Sequence, residues 1–220
     1  MNSVKKKLPI GIENFAKLQS EDFYYVDKTM LIKELLDNWA EVNLFTRPRR
    51  FGKTLNMSML NCFFSRQYAE KGTIFEGLSI WKQEKYRRLQ GTYPVIFLSF
   101  ADVKQNNYQD AVQKIKNIIV DAYRQHRYLE QEECFTQNEK QQMLEITEKM
   151  SDVTAQDALK NLSAWLEHYY GKKAIILLDE YDTPMQEAYV HGYWEQFTAF
   201  IRSLFNASFK TNPYLELSLI

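Results

Sequence analysis

The sequence predicts an α/β fold in which a mostly parallel sheet lies between two layers of helices, and three observations carry that prediction. Short apolar runs of strand length alternate along the chain with longer segments whose apolar residues recur at helical spacing. One such run, residues 42–46, leads into Arg47-Pro48-Arg49-Arg50-Phe51-Gly52-Lys53-Thr54, so that Gly-Lys-Thr falls where a strand-to-helix loop would end. A later run, Ala174-Ile175-Ile176-Leu177-Leu178, is apolar throughout and is followed at once by Asp179 and Glu180. A parallel strand covered by helices on both faces reads as an unbroken apolar run of this kind.

The elements follow in order. Met30, Leu31, Ile32, Leu35, Leu36 and Trp39 mark a helix before the 42–46 strand. After Thr54, the residues Leu55, Met59 and Phe63 share one helical face, with Leu60 and Phe64 beside them, a pattern of core packing. Residues 93–100 read as a second buried strand, with Pro94 near its start, where a missing amide does least harm. Val112, Ile115, Ile119 and Ala122 give the next helix, and Ala155, Ala158, Leu159, Leu162, Trp165, Leu166 and Tyr169 another. Thr154 with Asp157 resembles a capping box at the start of the latter, and Gly171 supplies its stop. Residues 125–152 are highly charged and poor in apolar side chains, and no Gly/Ser- or Pro-rich linker divides the chain, so one domain over 1–220, truncated, is expected, with a helical insertion at about 104–152. Trp194, Phe197, Ile201, Leu204 and Phe205 form an amphipathic helix, Asn212-Pro213 breaks it, and residues 214–220 read as a strand.

The Gly-Lys-Thr loop and the Asp-Glu pair make a functional pattern together. Amides of a loop and helix N-terminus point at a phosphate, Lys53 adds a mobile positive charge between the outer phosphates, and the Thr54 hydroxyl ligates Mg²⁺. In the full P-loop pattern G-x-x-x-x-G-K-[ST], the first glycine would fall on Arg47, so only the second half of the motif is present. Ligands of open α/β sheets bind beyond the carboxyl ends of the strands, which brings Asp179 and Glu180 to the crevice expected for Lys53 and Thr54. Asp179 would hold the metal and Glu180 would orient and polarise an attacking water. The expected fold is therefore a P-loop NTPase domain of α/β/α layers.

Four stretches carry a family resemblance: residues 8–15 (Leu-Pro-Ile-Gly-Ile-Glu-Asn-Phe), 24–29 (Tyr-Tyr-Val-Asp-Lys-Thr), 47–54, and 178–184 (Leu-Asp-Glu-Tyr-Asp-Thr-Pro). With these the chain resembles the AAA-ATPase-like family of bacterial P-loop proteins over essentially its whole length. In that family an arginine stands at the position of Arg47 as a matter of course. The resemblance implies ATP and Mg²⁺ as ligands, with Lys53 and Thr54 at the phosphates, Asp179 at the metal and Glu180 as the catalytic carboxylate. The nucleotide-binding segment is then Arg47, Pro48, Arg49, Arg50, Phe51, Gly52, Lys53, Thr54 and Leu55. Members are usually longer, and many continue into a nuclease-like domain of the PD-(D/E)XK type.

Composition bounds the partners. The 28 basic and 28 acidic residues cancel, so no global positive field draws in nucleic acid. Arg47, Arg49, Arg50 and Lys53 place four positive charges in seven residues, suited to a triphosphate. No signal-peptide core and no membrane-length apolar run are present, which predicts a cytoplasmic protein without membrane partners. Cys62 and Cys134 lack a metal or redox spacing, and His126, His168 and His191 are scattered. Tyr24, Tyr25 and Asp27 are lesser candidates for approach to the base, Asp102 for the phosphate side or a simple cap or turn, and Asp182 for tuning its acidic neighbours or capping the next segment. The resemblance to P-loop ATPases with an added catalytic glutamate implies that the 214–220 strand lies between the two motif-bearing strands, with neither a sensor residue nor a fifth strand after it. The sheet is thus expected to be incomplete at the C-terminus and prone to self-association through its exposed edge. Two functions fit these residues: an ATPase coupled to conformational change in a partner or downstream domain, or a nucleotide-dependent switch that does not turn over.

Overall fold

A computed structural model of the protein describes residues 6–38, 40–45 and 52–220. The chain forms two compact units, Met1–Ala40 with Phe45–Val95, and Glu41–Leu44 with Ile96–Ile220.

The first unit is helical and is organised around phenylalanine. Helix α1 (Phe15–Ser20) starts at Asn14, whose side chain accepts from the Lys17 amide. Helix α2 (Met30–Asn38) buries Ile32, Leu35 and Leu36. Trp39, expected in the same helix, lies outside the described residues. Helix α3 (Lys53–Phe64) buries Met57, Met59, Leu60, Cys62, Phe63 and Phe64. The ring of Phe75 meets those of Phe15 and Phe63, with centroids 5.1 and 5.3 Å apart. Contacts of this geometry add roughly 0.5–1.5 kcal/mol each beyond burial alone. The Phe15 amide also donates to Ser58 Oγ at 2.9 Å, fastening α1 to α3. Two 3₁₀ segments, Arg66–Phe75 and Ser79–Lys82, and the short α4 (Glu84–Arg87) complete this unit.

The second unit contains the sheet. Strand β1 is limited to Val42–Asn43, shorter than the 42–46 run, and Leu44 is 60% exposed. Strand β2 spans Val95–Ser99, because Tyr93 pairs instead with Ser65 in an isolated parallel bridge. Helices α5 (Tyr108–Gln125), α6 (Gln137–Leu144) and α7 (Asp152–Tyr170) precede β3 (Ala174–Asp179). Helices α8 (Thr183–Val190) and α9 (Trp194–Phe205) then lead through a π-helical turn at Asn206–Lys210 to β4 (Leu215–Leu219). The strand order is β1-β4-β3-β2 and all neighbours are parallel, as the α/β class with helical connections requires. β4 sits between β1 and β3, pairing Val42 with Ser218 on one side and Ile176 with Ser218 on the other.

Every residue of β3 is buried. Its side chains join those of α5, α7 and α9 in one core that includes Ile115, Leu159, Leu162, Ile176 and Phe197. The charged 125–152 segment contributes Leu129, Phe135, Met143, Ile146 and Met150 to the same core. Helix α7 begins one turn earlier than the Thr154 motif suggests: Ser151 is the cap, its Oγ accepting from the Thr154 amide at 3.0 Å. Gly171 ends the helix in the left-handed conformation, as expected. Asn212 locks the approach to β4. Its Nδ2 donates to Ser163 Oγ at 3.2 Å and to the Ser208 carbonyl at 3.1 Å, and its Oδ1 accepts from the Tyr214 amide at 3.1 Å. Among the described residues no helix is long and apolar enough to cross a membrane.

Candidate functional site

In the first unit the site begins at Gly52, which enters α3 with φ 76° and ψ 29°. No Cβ would meet a neighbour there, so the demand for glycine comes from the backbone conformation itself. The first helical bond runs from the Asn56 amide to the Gly52 carbonyl at 3.0 Å. The amides of Lys53, Thr54 and Leu55 therefore lie ahead of the intrahelical ladder, at the positive end of a twelve-residue helix. Lys53, Thr54 and Leu55 are half-buried. Arg47, Pro48, Arg49, Arg50 and Phe51, the rest of the expected phosphate loop, lie outside the described residues.

Beside Gly52 the same unit contains a cavity of about 200 Å³, walled by Tyr24, Tyr25, Leu55 and Asn56 among others. Tyr24 is 53% exposed. Tyr25 is half-buried, edge-on to Phe15 with centroids 5.4 Å apart, and burial pushes its hydroxyl up to about 12. Asp27 does not line the cavity; it holds the lead in place. Its Oδ1 accepts from the Thr29 amide and hydroxyl at 2.9 and 2.6 Å, and its Oδ2 from the Ser79 amide at 2.7 Å. Burial resists ionisation of this carboxyl, but the bonds from Thr29 and Ser79 outweigh it and hold the group below the usual aspartate range.

In the second unit Asp179 closes β3 at 1% exposure, and its carbonyl accepts from the Phe100 amide at 2.9 Å. Glu180 leaves the strand with φ 53°, in the left-handed region that costs a non-glycine residue of order 1–3 kcal/mol. Such strain persists where surrounding structure enforces it. Here Thr183 does so twice, its amide donating to the Glu180 carbonyl and its Oγ1 to Glu180 Oε2, both at 3.2 Å. Pro184 in the first turn of α8 suits a helix start. Asp182 occupies the N-cap position of α8 without capping it, and its Oδ2 accepts from Gln186 Nε2 at 3.0 Å. Asp102 is exposed in a turn after β2.

Among the described residues no cluster of three or more His, Cys, Asp or Glu could cage a metal. Magnesium does not require such a cage, since it is held by one or two protein oxygens together with substrate phosphates and water. The Thr54 hydroxyl and the Asp179 carboxylate are donors of that hard type. Cys62 is buried and Cys134 exposed, both as free thiols, and burial pushes the Cys62 thiol up to about 11.

The sequence model of the family described as "Predicted AAA-ATPase" matches residues 9–220. The chain belongs to this AAA-ATPase-like family. The match takes in residues 9–15, 24–29, 47–54 and 178–184 and supports the general ATP-binding, P-loop theme. Among curated proteins, the chain is similar to an uncharacterized protein encoded in the 5' region of vnfD in Azotobacter chroococcum mcd 1, with 29% identity over 182 residues. That alignment covers 82% of this chain and 30% of the relative, so the chain spans under a third of the relative's length. No solved structure matches the chain.

Asn56 and Thr183 are the two residues of interest that the motifs did not bring forward. Thr183 had a local signal, lying three residues after Glu180 within a turn ahead of a helix. Asn56 had none, because a single buried amide in an otherwise apolar helix face resembles core packing.

Proposed function

We propose that this domain binds Mg-ATP and hydrolyses it, and that turnover changes the conformation of a partner or of a further domain. The observation that carries the reading is Glu180, a carboxylate held in strained left-handed backbone directly after the Asp that ends a fully buried strand. The start of α3 supports it, with Gly52 left-handed and the amides of Lys53, Thr54 and Leu55 ahead of the ladder. In this reading Lys53 neutralises the outer phosphates and those amides bind phosphate oxygens. The Thr54 hydroxyl and Asp179 hold Mg²⁺, which shields the charge of the triphosphate when bound, and Glu180 orients the attacking water. An arginine is needed for charge that develops on the transferring phosphoryl group, and Arg49 and Arg50 are the candidates in this chain.

A second reading, a domain that binds nucleotide without turning it over, is favoured by the Thr183 hydroxyl, which occupies a Glu180 oxygen that the water would use. Calorimetric binding of Mg-ATP, with phosphate release on the same samples, tests both readings. Lys53→Ala is expected to abolish binding. Glu180→Gln is expected to bind normally and to release no phosphate. Binding by the unmutated chain without phosphate release would select the switch, and binding unaffected by Lys53→Ala would remove the phosphate-loop assignment.

A further inference from the structure

The charges that cancel over the whole chain do not cancel within each unit. The first unit carries 16 basic and 9 acidic residues, a formal +7, and the second 12 and 19, a formal −7. Arg47, Arg49, Arg50 and Lys53 account for four of those cations. Six others fall in residues 66–88, against three acidic residues, across the two 3₁₀ segments and α4. Charge asymmetry of this kind between parts of one chain marks a surface for a polyanion.

Acidic neighbours neutralise only part of this surface. Lys85 pairs with Asp37 at 3.7 Å and Arg88 pairs with Glu84, whereas Lys71, Lys82 and Arg87 are exposed and form no ion pair among the described residues. Two of these three cations lie over half-buried aromatic rings. Lys71 Nζ is 5.3 Å from the centroid of the Tyr68 ring, and the Arg87 guanidinium is 5.8 Å from that of Trp81, which stacks on Phe75. The rings are held in place. A Cβ on Gly72 would stand 2.8 Å from the edge of Trp81, so the indole closes on this turn where a side chain would be, and Gln90 Nε2 donates to the Tyr68 carbonyl at 2.7 Å.

The rest of the surface selects the polyanion. None of the large apolar side chains exposed among the described residues lies in residues 66–88, so nothing there would enter a lipid surface. An acidic protein would use the cations and leave the rings idle. Single-stranded nucleic acid uses both, because its phosphates follow a positive surface while its unstacked bases pack on aromatic rings and guanidinium planes. We infer that this face of the first unit binds single-stranded nucleic acid, with phosphates at Lys71 and Lys82 and a base stacked on Arg87 and Trp81. The inference is independent of the phosphate reading of Gly52-Lys53-Thr54.

Fluorescence anisotropy of a short labelled oligothymidylate, titrated with the 220-residue protein over a range of salt, tests it, and oligouridylate in a second arm tells DNA from RNA. Lys71→Ala and Lys82→Ala are each expected to weaken binding and to reduce the slope of log affinity against log salt by about 0.7. Arg87→Ala is expected to weaken binding about tenfold, near the worth of one stacked base. Arg87→Lys should restore the salt slope without the affinity, since it returns the charge and not the plane. All three positions are exposed, so the substitutions leave a folded protein. Absence of binding to both oligonucleotides at low salt overturns the inference. So does binding that the three alanine substitutions leave unchanged, which would place it elsewhere on the chain. Equal binding of polyglutamate would make the partner an acidic protein, and binding of phosphatidylserine vesicles in place of the oligonucleotides would make it a membrane, each overturning the inference as well.

Discussion

Thr183 holds Glu180 by both of its polar groups: the amide reaches the Glu180 carbonyl and the hydroxyl reaches Glu180 Oε2, each at 3.2 Å. The second bond aims a flexible carboxylate that would otherwise sample several rotamers. Thr183→Val keeps the shape and the backbone bond while removing the hydroxyl. Phosphate release is expected to fall about tenfold, less than the roughly 10²–10⁴-fold that a general base contributes in full, with ATP affinity unchanged. A rise in turnover would instead mean that the hydroxyl withholds the carboxylate from water.

The backbone at Glu180 gives a prediction of opposite sign for stability and activity. Glycine adopts φ 53° without the penalty borne by glutamate, which is roughly 1–2 kcal/mol. Glu180→Gly is therefore expected to raise the midpoint of thermal unfolding by about 2–4 °C while removing phosphate release. Calorimetric melting and an activity assay on the same preparation check the two together. A lowered melting point would show that the Thr183 bond outweighs the strain.

Asp27 makes the first unit sensitive to acid. Its carboxyl lies below the usual aspartate range in the folded protein, so the ionised form contributes stability in full above about pH 4, the ordinary value. That contribution is lost as pH falls through the depressed folded value. Asp27→Asn is expected to melt below the unmutated protein at pH 7, with the gap narrowing below about pH 4. A gap independent of pH would mean that the side chain acts through shape alone.

Asn212 is 8% exposed and makes three hydrogen bonds, to Ser163 Oγ, the Ser208 carbonyl and the Tyr214 amide. Asn212→Ala strands these partners in a buried setting, at about 1–3 kcal/mol. Denaturant unfolding is expected to show that loss with an unchanged slope. Asn212→Asp should keep the bond from the Tyr214 amide and lose the one to the Ser208 carbonyl, because a carboxylate accepts but cannot donate.

Much of this was readable in the chain because burial writes itself as pattern. The run from Ala174 to Leu178 suited a strand covered on both faces, and the 3.6-residue recurrence from Ala155 to Leu166 marked α7. The interposition of β4 was expected from the resemblance to P-loop ATPases with an added catalytic glutamate, and the structure has it between β1 and β3. Other features were illegible for physical reasons. The 3₁₀ segments between Arg66 and Lys82 have a period that hydrophobic spacing does not distinguish from a loop. The 42–46 run stops as a strand after Asn43, since apolar composition fixes neither the length of a ladder nor its partner. Ser151 and Thr154 are equally good caps by residue type, and only the hydrogen bond to the Thr154 amide chooses between them. At the candidate site, Gly52-Lys53-Thr54 and Asp179-Glu180 stood out by motif. The role of Asp27 as an anchor depends on Ser79, 52 positions away, and no local pattern reports such a pairing.

The division of the chain has a consequence for anyone wishing to take the molecule apart. Residues 41–44 belong with the sheet-bearing unit, although residues before and after them belong to the other. The polypeptide therefore passes from one unit to the second, returns, and crosses again near Val95. Neither unit is a single stretch of sequence, so neither can be expressed by choosing one cut site, and a break after residue 44 or after residue 95 would part the Val42–Asn43 strand from the sheet it completes.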